Sequence, residues 1–268
     1  MINYITGANG FVGSHLVKAL EDVTPLEDIV CIPHTEIMDT KLEPFDNLYF
    51  LSTYGNMYFQ YGDKILQANV IDLIHLLLEA KSCGFKFFVY ISTSSVELPI
   101  QTMYSRTKKA AEEILLSFIE NYNLPICIIR PFSITGVGEQ KEHLIPTLIR
   151  SCFTGELVNF VPEPMHDYID VNDVVSEILQ LSASCSKGIF RLGNSFGVSN
   201  AEVLKLVEEA TASKGGKKAN INIVDSLRPY DSKDWFAKDY ISREHWTQRR
   251  PLNDTIEAMV DDYLLLDI

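Results

Sequence analysis

No apolar run in the 268-residue sequence reaches the roughly 18 residues needed to cross a bilayer, so no membrane partner is expected. A short strand pattern begins within two residues of Met1, which leaves no visible secretory leader and makes a cytoplasmic location the expectation. Cys-x-x-Cys does not occur. The five cysteines, Cys31, Cys83, Cys127, Cys152 and Cys185, are scattered and odd in number, as expected of reduced thiols rather than a disulfide framework. The six histidines show no ligand spacing, so no metal site is expected. Positive charge is short as well. A net charge of -13 disfavours a nucleic-acid partner, though it leaves room for a small phosphate-bearing ligand held by local N–H groups. No internal repeat or low-complexity linker breaks the chain.

What is present is a 46% hydrophobic chain long enough for one large domain with a small lobe. Strand and helix patterns alternate through its first half. Strands are expected at Met1 to Thr6, Asp28 to Ile32, Leu48 to Leu51, Phe85 to Ser92 and Pro125 to Arg130. Helices are expected at Gly13 to Glu21, Asn69 to Cys83 and Met103 to Tyr122. Near-continuous apolar strands separated by helices predict an α/β fold with a doubly wound parallel sheet covered on both faces. The second half predicts helices at Leu144 to Phe153, Asp170 to Ser182, Ser199 to Ala212 and Thr255 to Leu266, with a strand at Gly188 to Leu192. Ser199 with Glu202 three residues on reads as a capping box. The main domain is expected over 1–132, with a return at about 170–192. A small, mainly C-terminal substrate lobe takes 133–169 and 193–268.

Two motifs carry chemistry. Thr6-Gly7-Ala8-Asn9-Gly10-Phe11-Val12-Gly13 lies between the first strand and the first helix. Glycines there allow a tight turn, close approach to a pyrophosphate and close packing of helix on strand, while the helix N-terminus offers N–H groups to phosphate. Tyr104 and Lys108 are four apart on one helix and share a face. An ammonium beside a phenol is expected to lower its ordinary value near 10, so that Tyr104 can exchange a proton with a substrate hydroxyl while a nicotinamide exchanges hydride. Ser92-Thr93-Ser94-Ser95, ending the fourth strand, supplies a hydroxyl to orient the substrate oxygen. The second strand ends Cys31-Ile32-Pro33-His34, without the acid that holds the ribose of NAD; this leans the cofactor, NAD(P), toward NADP. His34 either donates to a 2′-phosphate or is a surface loop residue.

With those residues in place, the chain resembles the extended short-chain dehydrogenases/reductases, in particular the nucleotide-sugar epimerases, dehydratases and reductases, over nearly its whole length. Thr6 to Gly13 is similar to that family's Thr-Gly-x-x-Gly-x-x-Gly. Leu51-Ser52-Thr53 stands where the family has Leu-Ala-Ala beside the cofactor, and Asn69 matches its helix-opening Asn. Thr93-Ser94-Ser95-Val96 resembles its catalytic Ser/Thr run, Arg130-Pro131-Phe132-Ser133 its Arg-Pro-Phe-Asn, and His166-Asp167-Tyr168 its Arg-Asp-Phe. Arg228-Pro229 resembles the C-terminal region that meets the nucleotide pyrophosphate.

The resemblance implies a Rossmann-type fold and an NAD(P)-dependent 4-epimerase or 4-keto reductase of a nucleoside-diphosphate sugar. Thr93, Tyr104 and Lys108 would be catalytic. Gly7, Asn9, Gly10, Phe11, Val12, Gly13, His34, Leu51, Ser52, Thr53, Asn69, Tyr104, Lys108 and Pro131 would meet the cofactor. Ser94, Ser95, Ser133, His143, Leu144, His166 and Arg228 would meet the sugar nucleotide. His143-Leu144-Ile145-Pro146 resembles the His-x-Ile-Pro run of GDP-fucose synthases, whose partner Cys is Ser95 here. For His143 a solvent-facing loop position stays open, and for His166 a purely structural hydrogen bond. The dehydratases carry Asp-Glu where this chain has Ser94-Ser95, so elimination of water lacks its acid and base. A homodimer through the Asn69–Cys83 and Met103–Tyr122 helices is a further implication, and a non-catalytic NAD(P) sensor on the same fold is the alternative.

Overall fold

A computed structural model describes residues 2–55, 62–99, 101–225, 234–235 and 249–266. Strand β1 (Asn3–Thr6) is buried throughout and leads through the glycine turn into helix α1 (Phe11–Glu21), whose Gly13, Leu16 and Leu20 face inward. Strand β2 (Ile29–Ile32) and a short turn of helix at His34–Asp39 follow. Strand β3 (Phe45–Phe50) begins earlier than its apolar core at Leu48 suggests. Its two polar residues are committed to β1 and the residue before it: Asp46 accepts the Ile2 N–H at 3.1 Å, and Asn47 donates to Asn3 Oδ1 at 2.8 Å.

The next helical stretch is also longer than its apolar pattern. Helix α2 (Gly62–Leu66) runs through a π-helical turn, Gln67–Ile71, into α3 (Asp72–Cys83), which stops at Gly84 with φ of 90°. Strand β4 (Phe85–Ile91), helix α4 (Met103–Tyr122) and strand β5 (Ile126–Pro131) complete the first half. Thr102 caps α4 in a reciprocal box with Ser105, and Asn123, left-handed at φ 52°, ends it.

Beyond β5 come β6 (Ser133–Thr135), α5 (Leu144–Thr154), β7 (Val158–Phe160), β8 (Met165–His166), β9 (Tyr168–Asp170), α6 (Val171–Ala183), β10 (Gly188–Leu192), β11 (Val198–Ser199), α7 (Asn200–Ala212), β12 (Ile221–Ile223) and α8 (Leu252–Leu266). The main sheet runs β10-β5-β4-β3-β1-β2, and the pairings of β2 with β1, β1 with β3, β3 with β4 and β4 with β5 are all parallel. This is a doubly wound parallel sheet. The chain leaves β1 toward β2 on one side and resumes with β3 on the other, so the strand order reverses at the C-terminal end of β1. Ligands of open α/β sheets bind at such a reversal.

The described chain divides into two compact units. The first holds Met1–Pro131 and Val175–Arg191, the second Phe132–Val174 and Leu192–Ile268. Fully buried Leu48, Phe50, Phe88, Tyr90, Leu73, Leu76, Leu77 and Ile128 make the core of the first. Such side chains each contribute about 1.5–3 kcal/mol by leaving water. In the second, α5, α7 and α8 pack around Leu148, Val203, Val207, Ile256 and Val260. Its two-stranded sheets, β6 with β9, β8 with β11 and β7 with β12, are too short to show as apolar periods in the sequence. Ser199 does cap α7 through Glu202. Asp170 supplies the acceptor at the start of α6, taking the Asn172 N–H at 2.8 Å. Among the described residues no helix is long and apolar enough to cross a membrane, and no group of three or more His, Cys, Asp or Glu side chains could hold a metal ion.

Candidate active site

The glycine turn is shaped by space as much as by flexibility. Gly7 has φ of 71°, and a Cβ there would lie 2.9 Å from the backbone of Leu51 and Ser52. At Gly13 a Cβ would come within 2.0 Å of the Gly7 carbonyl oxygen, so only glycine lets α1 close on the turn. Thr6 Oγ1 accepts the N–H groups of Leu51 (3.2 Å) and Ser52 (3.1 Å), tying the turn to the loop after β3. The N-cap of α1, Gly10, offers no side-chain acceptor, and the first turn carries no acid. The turn therefore presents N–H donors and a positive helix end that no acidic side chain of its first turn neutralises. Asn9 and Gly10 are exposed; Phe11 and Val12 are half-buried, with the Phe11 ring edge-on to His15 at 5.8 Å.

A hydrogen-bonded chain links that loop to α4. Lys108 is 2% exposed, and its Nζ donates to the Ile91 carbonyl (2.6 Å) and to Thr53 Oγ1 (2.9 Å). The ammonium also lies 4.5 Å from the centre of the Tyr90 ring. Thr53 donates to Asn69 Oδ1 at 3.4 Å, and Asn69 Nδ2 donates to Thr107 Oγ1 at 3.1 Å and to the Tyr54 carbonyl at 3.2 Å. Asn69 is fully buried and sits within the π turn. The extra residue of such a turn re-aims one side chain without ending the helix, and π turns gather at functional sites. Asn69, Thr53 and Lys108, far apart in sequence, thus form one network.

Thr93 caps the short helix Ser94–Glu97 by accepting the Ser95 N–H at 3.2 Å, and its hydroxyl donates to Ser95 Oγ at 3.0 Å. Tyr104 is half-buried, and its phenol lies near enough to the Thr93 hydroxyl to be influenced by it. Ser95 is fully buried and its hydroxyl oxygen accepts the Thr93 hydroxyl. One expectation is corrected here. The Tyr104 phenol is not lowered: burial pushes it up to about 12, with the Thr93 hydroxyl working the other way. The physical reason is that Lys108 is itself desolvated and drawn down to about 7, the nearby Glu112 carboxylate only partly opposing this, and its Nζ is turned to Ile91 and Thr53. Ser92 and Ser94 keep buried hydroxyl oxygens with no hydrogen-bond partner among the described residues. Pro131 is buried at the end of β5.

Sequence reasoning passed over Glu112, four residues after Lys108 and therefore on the same helical face. It is 1% exposed and accepts Arg130 Nε at 3.0 and 3.2 Å through its two oxygens. Glu97, just past the Thr93 run, pairs with both Arg130 and Arg191. Removing one partner of a buried pair strands the other, at about 3–5 kcal/mol. Arg130→Met should therefore lower the unfolding free energy by about that much in a denaturant titration; a loss under about 1 kcal/mol would show that Glu112 is not held by this pair.

Ser133, His143, Leu144 and His166, also expected to meet the sugar nucleotide, lie in the second unit. Ser133 is half-buried in β6, its N–H donating to the Asp167 carbonyl at 2.9 Å. His143, the N-cap residue of α5, holds Glu139 Oε1 at 2.9 Å through Nδ1, and Glu139 Oε2 accepts Thr135 Oγ1 at 2.6 Å. Leu144 packs on the apolar core of its unit. The His166 ring meets Tyr168 and Trp235 at 6.0 and 6.3 Å, and its backbone pairs with Val198. Arg228 lies outside the described residues.

Residues 3–193 match the model of the NAD dependent epimerase/dehydratase family. The chain belongs to that family. Its cofactor class is accordingly NAD(P). Among curated relatives, the dTDP-D-glucose 4,6-dehydratase of Dictyostelium discoideum is 22% identical over 76% of this chain and 60% of its own length. The GDP-6-deoxy-D-mannose reductase of Pseudomonas aeruginosa is 27% identical over 66% of this chain and 69% of its own. Among solved structures, a variant of the UDP-glucuronic acid 4-epimerase of Bacillus cereus, in complex with NAD and UDP-4-deoxy-4-fluoro-glucuronic acid, superposes with a TM-score of 0.84 at 19% identity over 99% of this chain and all of that one. The family's cofactor fits what is built here: a turn that closes on α1 and on the loop after β3 only because Gly7 and Gly13 carry no Cβ, a helix start without an acidic neighbour in its first turn, a buried lysine, and two buried serine hydroxyls without a partner among the described residues.

Proposed function

We propose that this family member moves hydride and proton at C4 of a nucleoside-diphosphate sugar, as a 4-epimerase or a 4-keto reductase. The observation that carries the reading is the cluster of Thr93, Tyr104 and Lys108 on the network that runs to the loop after β3. When bound, NAD(P) supplies the hydride donor or acceptor and, in its oxidised form, a positive charge. Gly7, Gly10 and Gly13 would hold its pyrophosphate, and Lys108, with two of its three N–H donors committed, would give the third to a ribose hydroxyl.

Thr93 orients the sugar oxygen. With its hydroxyl held up to about 12, Tyr104 is protonated at neutral pH and stands ready to give that proton to a C4 carbonyl oxygen. Acting as base on a C4 hydroxyl requires cationic charge brought close to the phenol, from Lys108 once it is drawn to a ligand and from the oxidised cofactor. Water elimination is disfavoured, because Ser94 and Ser95 carry neither the acid nor the base it needs.

The test is to incubate the protein, loaded with dinucleotide, with UDP-glucose and UDP-glucuronic acid and follow the sugar by proton NMR, and separately to offer 4-keto sugar nucleotides with reduced cofactor. Inversion at C4 without net cofactor turnover identifies an epimerase, and stoichiometric oxidation of the cofactor a reductase. Bound cofactor with neither reaction would remove the catalytic reading.

A further inference from the structure

We propose that Asp72, acting through His34, selects against a 2′-phosphate on the dinucleotide, so that this chain uses NAD rather than NADP. The inference rests on the reading that the glycine turn binds NAD(P). Strand β2 lacks a terminal acid, and taken alone that favours NADP. The structure brings an acid to the same place from another element. Asp72, the first residue of α3, is 1% exposed. Its Oδ1 accepts Gln67 Nε2 at 2.7 Å. Its Oδ2 is buried without a hydrogen-bond partner and lies 3.4 Å from His34 Nδ1. His34 stands two residues past the end of β2, after Pro33, and its side chain is 60% exposed. His75, one turn along α3, meets the Thr40 carbonyl at 3.3 Å, so the turn carrying His34 is anchored to the helix carrying Asp72.

A carboxylate oxygen kept from water is costly unless something answers it. Here the answering group is an imidazole, whose Nδ1 proton the carboxylate favours. That tautomer turns Nε2, an acceptor, toward solvent beside the end of β2. An acceptor there suits the 2′-hydroxyl of an adenosine ribose. A 2′-phosphate would meet both that lone pair and the buried negative charge behind it. Discrimination of this kind is a difference of affinities, made as much by what repels the wrong ligand as by what attracts the right one.

Titration of the whole protein with NAD+ and with NADP+, for wild type, Asp72→Asn and His34→Arg, separates the possibilities. The expected result is tighter NAD+ binding by the wild type. In Asp72→Asn the ratio of the two dissociation constants should move about tenfold toward NADP+ while NAD+ affinity stays nearly constant; a purely structural effect would weaken both alike. His34→Arg, a surface change that does not threaten the fold, should move the ratio the same way and further. An unchanged ratio in His34→Arg, or a wild type that prefers NADP+, overturns the assignment. Failure of the wild type to bind either dinucleotide would overturn the underlying reading of the glycine turn instead.

Discussion

Tyr104→Phe should lower kcat by about a thousandfold and leave dinucleotide affinity within a factor of about two, since general acid–base groups contribute about 10²–10⁴. The substitution removes one oxygen and keeps the ring. That oxygen is influenced by the Thr93 hydroxyl, and α4 does not depend on it, because the start of the helix is fixed by the Thr102–Ser105 box. A thousandfold loss corresponds to about 4 kcal/mol of transition-state stabilisation. The hydroxyl is held protonated up to about 12 in the ligand-free chain, so the loss should appear in both directions of reaction: as a missing acid toward a ketone and a missing base toward an alcohol. Steady-state kinetics paired with a cofactor titration check this. A variant that turns over at more than about a tenth of the wild-type rate would move the proton transfer to another group.

The parallel sheet was legible because its strands are near-continuous apolar runs; Phe85–Ile91 and Ile126–Pro131 can hardly be read otherwise. Strand β3 was legible only in its second half, since Asp46 and Asn47 look like loop residues until their partners on β1 and the residue before it are seen. The turn at Gly7–Gly13 and the Tyr104–Lys108 pair stood out only in combination, a glycine turn between strand and helix followed by a hydroxyl run and a tyrosine and lysine on one helical face; the spacing of either alone is common. What spacing could not show is direction. Lys108 turns toward Ile91 and Thr53, and the consequence for Tyr104, a raised rather than lowered hydroxyl, follows from burial that no single-residue motif records. Asp72 was invisible for a related reason: the acid proposed to stand in for the missing strand-two acid comes from a helix about forty residues away, and only the packing of α3 on the His34 turn brings the two together. Glu112 could have been found by extending the four-residue spacing one more step along α4.

Lys108→Met should abolish most of the activity without weakening the fold. Burial draws the ammonium from an ordinary 10.5 to about 7, which means the folded chain carries this charge at a cost on the order of a few kcal/mol at neutral pH. Between about 7 and 10.5 the unfolded chain binds a proton at this site that the folded chain has largely released. Stability therefore rises with pH through that window, and the cost is present in full below it. Tyr104 enters only above its ordinary 10, so it does not obscure the effect.

Methionine keeps the length of the side chain and its contact with the Tyr90 ring, and gives up two hydrogen bonds of about 1 kcal/mol each. Glu112 is not stranded by the change, because Arg130 holds both its oxygens. Thermal melts from pH 7 to 9 should show wild type gaining stability with pH while Lys108→Met stays flat and starts no lower, as kcat falls by about a hundredfold or more. A melting temperature about 5 °C or more below wild type at pH 7, with kcat nearly intact, would make Lys108 a structural strut. The expected pattern instead marks a charge that folding alone would discard, retained where it reaches the loop after β3 through Thr53 and, on the proposed function, has one N–H left for a ligand.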